Sequence, residues 1–154
     1  MNCLALLFLT GSFTFPIDTP NREAAKPDLQ RFQGAWQAAT IYDLEGRAAS
    51  ADELKQTRLF VDGNKFTLKG KDYTITGKFS IDALKSPKSI DVVLDGDEGQ
   101  QPAKLLGIYR FDGESRWSCF ALPGDERPKA FPASSKGYIQ YEWKRLPKEP
   151  IRIK

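Results

Sequence analysis

Few residues in this chain combine the types and spacing that catalysis needs. Cys119 is the best nucleophile, but a cysteine nucleophile needs a base or a positive charge beside it to form the thiolate. The 154-residue chain contains no histidine, which excludes Ser-His-Asp and Cys-His mechanisms and histidine metal sites. Arg116 is close in sequence, but strand alternation predicts that it faces the opposite way. We therefore interpret Cys119 as a small buried apolar residue and predict no catalytic residues.

Carboxylates cluster around the fifth predicted strand. Asp91, Asp95 and the pair Asp97 and Glu98 have the spacing that an acid–base pair or a cation site would use. A calcium loop, however, needs several oxygen ligands at a defined spacing. The stretch 95–99 is too short to supply them. We interpret it as a solvated turn and predict neither a metal nor a cofactor.

Arg127 lies in a polar loop over residues 123–131 and has two interpretations. Together with Lys129 it could contact an anionic ligand or a partner. Alternatively, it pairs with Asp125, Glu126 or a backbone carbonyl and holds the loop in place. Loss of binding at intact stability in an Arg127→Ala variant would favour the first interpretation, and loss of stability would favour the second.

Short segments with a period of two, separated by turn signals, begin at Gln33. This pattern is typical of a sandwich or a barrel. The predicted strands cover residues 34–42, 58–61, 65–69, 73–81, 89–94, 104–111, 116–122 and 137–146. The stretch from Ser50 to Glu53 matches a capping box, which predicts a short helix over 50–56 after the first strand.

Hairpin-length connections between eight strands predict an all-β, antiparallel up-and-down barrel, since closure removes the exposed edges of a flat sheet. Tight Asp-Gly turns begin at Asp62 and Asp112 and lie at the same end, which predicts one pinched end and one loose end. The helix over 50–56 lies at the loose end, where it could act as a lid. Closure also makes strand eight antiparallel to strand one, which predicts Arg145 over the indole of Trp36 at the pinched end.

Gly34-x-Trp36 at the head of strand one, with Arg145 near the end of strand eight, resembles the structural signature of lipocalin-like barrels. The resemblance implies a structural role for these three residues. It also implies that function is located in the lumen and at the mouth of the barrel.

A second set of motifs is more specific. It comprises L-G-I-Y at 106–109, Cys119, and P-G-x-E-R-P at 123–128. Residues 29–146 thereby resemble a family of small lipocalin-like domains of unknown function that is abundant in planctomycete bacteria. The resemblance implies the barrel fold but no established activity or ligand. Trp117 stands where the family has a smaller residue, and Trp143 adds a second aromatic residue on strand eight. Together they predict a narrower or more aromatic interior.

Alternation along the strands predicts a set of apolar residues inside the barrel. These residues are Phe66, Leu68, Ile75, Phe79, Val92, Leu94 and Tyr109. An eight-stranded barrel is either filled by its side chains or holds one small ligand. The sequence leaves both alternatives open.

The N-terminus predicts an export signal. Residues 4–15 read LALLFLTGSFTF, which suits the apolar core of a signal peptide and is too short to cross a bilayer. We predict a leader over 1–20, a flexible segment over 21–28, the barrel over 29–148 and a tail over 149–154. The protein is then exported to the periplasm or beyond and is not an integral membrane protein. The alternative is that the apolar stretch is a buried N-terminal segment.

Charge does not indicate a nucleic-acid partner. The net charge of +3 comes from 23 basic and 20 acidic residues that are mixed along the chain, without a basic stripe. We predict non-catalytic binding of a small apolar or amphipathic ligand. The alternative is a cell-envelope module whose filled barrel contacts protein or polysaccharide through its mouth loops. A dry cavity of about 300 Å³ or more that opens beside the helix over 50–56 would favour the first function. The absence of a pocket, together with an apolar patch on the loops, would favour the second.

Overall fold

The described residues form two helices and eight strands. The computed structural model of the chain describes residues 22–96, 99, 101–134 and 136–148, so the predicted leader over 1–20 and tail over 149–154 lie outside the described residues. The helices are α1 (Arg22–Phe32) and α2 (Ala51–Gln56). The strands are β1 (Gly34–Tyr42), β2 (Arg58–Asp62), β3 (Lys65–Lys69), β4 (Thr74–Asp82), β5 (Ser89–Leu94), β6 (Ala103–Asp112), β7 (Ser115–Phe120) and β8 (Ile139–Arg145).

The eight strands close into one antiparallel barrel, in which β8 returns to pair with β1. This confirms the predicted eight-stranded antiparallel barrel with a short helix after the first strand, and no strand end differs from its prediction by more than two residues. Two-residue turns at 63–64 and 113–114 lie at the end where β1 begins and β8 ends. We call this end the base and the opposite end the mouth.

An irregularity in β1 determines which of its residues face inward. The pairing with β8 shifts between Ala38 and Thr40. Trp36 and Ala38 are buried in the core, and beyond the shift it is Ile41 that packs against that core. Strict alternation would turn Thr40 inward. The bulge leaves its hydroxyl outside, where it donates to Glu142 at 2.8 Å.

Helix α2 begins with the predicted capping box. The Ser50 hydroxyl accepts from the backbone N–H of Glu53, and the Glu53 carboxylate accepts from the backbone N–H of Ser50. Gln37 on β1 fixes the other end of the helix, because its side-chain amide donates to the carbonyls of Leu54 and Thr57. The helix is therefore held against β1 and adds only the half-buried Leu54 to the core.

Helix α1 corrects the prediction for residues 21–28. The sequence predicts a flexible segment there, whereas the chain is helical from Arg22 onward with Pro27 inside the helix. Tertiary contacts outweigh the poor helix propensity of this segment. Asp28 is buried, and its carboxylate accepts from Lys88 Nζ at 2.7 Å and from the Tyr109 hydroxyl at 2.8 Å.

Side chains from the first and last strands hold the carbonyl end of α1. Trp36 Nε1 donates to the carbonyl of Phe32 at 2.8 Å. Arg145 donates to the carbonyl of Gln33 at 2.6 Å and also to that of Arg31. These donors satisfy carbonyls that a helix end leaves free, and the guanidinium charge favours the negative end of the helix. As the sequence predicts, the Arg145 guanidinium lies over the indole of Trp36, 4.2 Å from the ring centroid.

Phe32, the last residue of α1, closes the base of the barrel. Its ring lies 5.3 Å from Phe79, 5.1 Å from Tyr109 and 5.4 Å from Phe111, measured between centroids. Only 2% of its surface is exposed. One aromatic side chain from outside the barrel therefore seals the end at which the hairpins are shortest.

Gly34 makes the sharp connection from α1 into β1 possible. Its φ of +104° lies in a region that residues with a Cβ rarely adopt, and a Cβ there would also contact the Arg145 guanidinium at 3.5 Å. The first residue of the Gly-x-Trp motif thus lets the chain turn tightly enough for Trp36 and Arg145 to reach the end of the helix.

We expect Trp36→Ala to lower the free energy of unfolding by about 3–5 kcal/mol, because it removes a buried ring, a helix cap and the partner of Arg145. Chemical denaturation followed by circular dichroism measures the change. Trp117→Ala, which removes the half-exposed Trp of β7, is the matched control and should cost clearly less. Equal losses in the two variants would contradict the central role of Trp36.

Candidate functional site

The barrel encloses an apolar cavity of about 210 Å³. Residues from β2 to β8 line it, and Phe32 of α1 adds the base. Toward the mouth the lining consists of apolar side chains: Leu59, Leu68, Ile75, Leu94, Leu105, Phe120 and Ile139. Four of these, Ile75, Leu94, Leu105 and Ile139, are half-buried, so solvent reaches the mouth end of the lining.

Most of the residues predicted to lie inside the barrel line this cavity. They are Phe66, Leu68, Ile75, Phe79, Val92 and Leu94. Tyr109 and Arg127 are not among the lining residues. Helix α2 also contributes none of the described lining, so it does not take the predicted position of a lid over the cavity.

Tyr109 faces inward but below the cavity. Its ring packs edge-on against Phe32, and its hydroxyl donates to Asp28. Burial and the neighbouring carboxylate of Asp28 raise the pKa of Tyr109 far above its ordinary value. Tyr109 therefore stays neutral and joins α1 to the barrel.

Arg127 lies outside the barrel and fixes the loop between β7 and β8. Its guanidinium donates to the carbonyl of Ile90 at 3.1 Å, to the carbonyl of Gly107 at 2.8 Å and to the carboxylate of Asp91. Burial opposes ionisation of Asp91, but hydrogen bonds from Arg127 and Lys104 outweigh it and hold the pKa of the carboxyl below its ordinary value. These contacts match the second of the two interpretations of Arg127.

Cys119 is also buried on the outside of the barrel. Alternation turns Cys119 outward, because its neighbours Ser118 and Phe120 line the cavity, yet none of its surface is exposed. Burial raises the pKa of the thiol to about 11. The thiol is therefore protonated at neutral pH and unsuited to act as a nucleophile.

Trp117 also faces outward, which corrects the prediction that it narrows the interior. The guanidinium of Arg110 lies 5.7 Å from its ring and 4.5 Å from the ring of Phe131 in the β7–β8 loop. Trp143 on β8 does line the cavity, with its ring stacked 5.3 Å from that of Tyr141. Of these two tryptophans, only Trp143 adds to the aromatic lining, which also includes Phe32, Phe66, Phe79 and Phe120.

Sequence reasoning missed several lining residues, and Arg116 is the charged one among them. It is 3% exposed and lines the cavity at the base, between two aromatic rings. Its guanidinium carbon lies 4.3 Å from the centroid of Phe32 and 4.6 Å from that of Trp36. Two of its three nitrogens, Nε and Nη1, are fully buried and have no hydrogen-bond partner among the described residues.

The burial of Arg116 shifts its protonation equilibrium. Burial, assisted by the positive charge of Arg145, lowers the pKa of Arg116 to about 9. The side chain is still charged at neutral pH. The cavity is therefore an apolar shaft with an uncompensated positive charge at its base.

Nothing in the described part of the chain forms a cluster of metal ligands. Asp91 is bonded to Arg127 and Lys104, and Asp95 accepts a hydrogen bond from the Thr76 hydroxyl at 2.7 Å. Residues 97, 98 and 100 of the acidic turn lie outside the described residues.

Comparison of the chain with protein-family models, with curated proteins and with solved structures finds no match. None of the described helices has both the length and the apolar character needed to cross a membrane.

We expect Arg127→Ala to release the β7–β8 loop, because the Arg127 guanidinium makes three of the contacts that hold this loop. The free energy of unfolding should fall by about 2 kcal/mol, and alkylation of Cys119 should become faster than in the native protein. Mass spectrometry of the peptide that contains Cys119 measures the rate. Lys129→Ala, an exposed change in the same loop, is the control. Unchanged protection of Cys119 in Arg127→Ala would show that another contact holds the loop.

The ion pair of Asp91 should make stability depend on pH. Because the folded-state pKa of Asp91 is lowered, its contribution is present above the unfolded pKa of about 4 and is lost as the pH falls through the lower folded value. We therefore expect Asp91→Asn to be less stable than the wild type at pH 7, and the difference to shrink steadily below pH 4. Denaturation curves of both proteins between pH 2 and pH 7 test this. A constant difference would contradict it.

Proposed function

We propose that this protein binds a small apolar or amphipathic molecule, without catalysing a reaction, in the cavity of its barrel. The observation that supports this is an apolar cavity of about 210 Å³ that is closed at the base by Phe32 and reached by solvent at the mouth. Ligand sites are concave and mostly apolar, with a few polar groups that fix orientation.

The size of the cavity limits the size of the ligand. Its volume is below the roughly 300 Å³ that would favour a binder and above the roughly 150 Å³ of an engineered apolar cavity that takes up benzene. The ligand we propose is therefore small, with roughly eight to ten heavy atoms inside the barrel. Each buried methylene contributes about 0.8 kcal/mol, which corresponds to about fourfold in affinity.

The alternative, a cell-envelope module that contacts protein or polysaccharide through its mouth loops, predicts a barrel filled by its side chains. An unfilled apolar cavity favours the small-ligand function over it. Export from the cytoplasm and membership of the lipocalin-like planctomycete family stay predictions.

Native mass spectrometry of protein purified from its own host without detergent is the first test. We expect a discrete added mass that disappears on denaturation. A parallel titration with the neutral alcohols hexanol, octanol and decanol should show an affinity that rises about fourfold per methylene until the cavity is full. A bare protein that takes up none of these alcohols would overturn the proposal.

A pair of neighbouring valines on β5 offers a matched control for the position of the ligand. Val92 lines the cavity and is 7% exposed, whereas Val93 faces outward and is 39% exposed. We expect Val92→Phe to fill the cavity and reduce octanol uptake at least tenfold, and Val93→Phe to leave it unchanged. Thermal melting checks that both variants are folded. Equal uptake by the two variants would place the ligand elsewhere.

A further inference from the structure

Arg116 is the only charged side chain among the described residues that line the cavity. A buried charge is costly unless it is paired, and unpaired buried donors are rare in native proteins. None of the described carboxylates forms an ion pair with Arg116, and Nε and Nη1 lack acceptors. The geometry thus leaves strong donors without a partner at the base of a cavity that is otherwise suited to an apolar molecule.

The contacts with Phe32 and Trp36 compensate only in part for the burial of the Arg116 guanidinium. Aromatic rings stabilise a guanidinium through its flat faces, and the Arg116 carbon lies within 4.6 Å of both ring centroids. The N–H donors of a guanidinium lie in its plane and are not satisfied by stacking. The rings therefore position the guanidinium but leave its hydrogen-bonding edge free.

We propose that the ligand carries a carboxylate, and that Arg116 binds this group at the base of the cavity while the apolar chain extends toward the mouth. This rests on the proposed function, because it names the class of ligand that the cavity takes. A carboxylate supplies the planar pair of acceptors that matches a guanidinium edge, and the bond is strengthened by the charges on both groups.

Two neighbouring features suit the carboxylate: one supplies a further hydroxyl group, and the other favours an anion over a neutral polar group. Ser118, two residues along β7, lines the same face of the cavity and is buried, so its hydroxyl is on the same side of the strand as Arg116. Arg145 adds a second positive charge close enough to lower the pKa of Arg116. An anion at the base would relieve the repulsion between the two guanidinium groups.

A comparison of octanoate with octanol at pH 7.5 tests the head group without any mutation. Both probes have the same chain length, and isothermal titration calorimetry measures each affinity. For the wild-type protein we expect octanoate to bind at least tenfold more tightly than octanol. Equal affinities would overturn the carboxylate proposal and leave the proposed function intact. Binding of neither probe would overturn both.

Variants at Arg116 test whether this residue causes the preference for octanoate over octanol. In Arg116→Met we expect octanoate affinity to fall ten- to a hundredfold and octanol affinity to stay within threefold of the wild type. Arg116→Lys keeps the charge but loses the two-pronged geometry, so it should retain part of the preference. Arg110→Met removes the same charge from the exposed outer face and should keep the full preference.

Retention of the octanoate preference in Arg116→Met would overturn the role of Arg116. Thermal melting of each variant checks folding before titration. If Arg116→Met does not fold, Arg116→Lys decides: an unchanged ratio of octanoate to octanol affinity would count against direct contact, and a reduced ratio supports it.

Discussion

The structure depends on the packing of one indole against two guanidinium groups. Trp36 lies between Arg145, at 4.2 Å, and Arg116, at 4.6 Å, and its N–H caps the carbonyl end of α1. Because Arg145 also binds that helix end, the first strand, the last strand and α1 meet at one point. The same contacts help to place Phe32 over the base of the barrel, so the indole contributes to the closed end of the cavity.

This arrangement couples stability to the candidate site. An apolar residue at position 116 would remove the cost of a buried charge, and buried charges are often replaced by apolar groups without loss of stability. The chain instead keeps a cation in an apolar shaft, with its faces covered by aromatic rings and its edge free. Polar groups that are poorly satisfied in the free protein are common at binding sites, since the ligand completes them.

The barrel was predictable because its strands are short, separated by strong turn signals, and alternate with period two. The pairing of Trp36 with Arg145 was implied by the resemblance to the lipocalin-like signature, and closure of the barrel places the two residues side by side. Arg116 was not predictable, because on β7 it is the outward residues Trp117 and Cys119 that look apolar. On that outer face, Trp117 and Phe131 of the β7–β8 loop both contact the Arg110 guanidinium. Helix α1 was not predicted, because Pro27 and many charged residues give the segment a poor helix propensity. Tertiary contacts stabilise this helix, and its sequence does not show them.

The bond between Arg145 and the carbonyl of Gln33 joins residues 112 positions apart in the chain. Contacts of such sequence separation form late, because the entropy of closing a long loop must be overcome first. During synthesis, α1 and β1 therefore leave the ribosome long before their partner on β8 exists. Until then Phe32 and Trp36 lack part of the contacts that bury them. The order of assembly imposed by this one contact makes the N-terminal third of the chain the part most exposed to misfolding or to capture by chaperones.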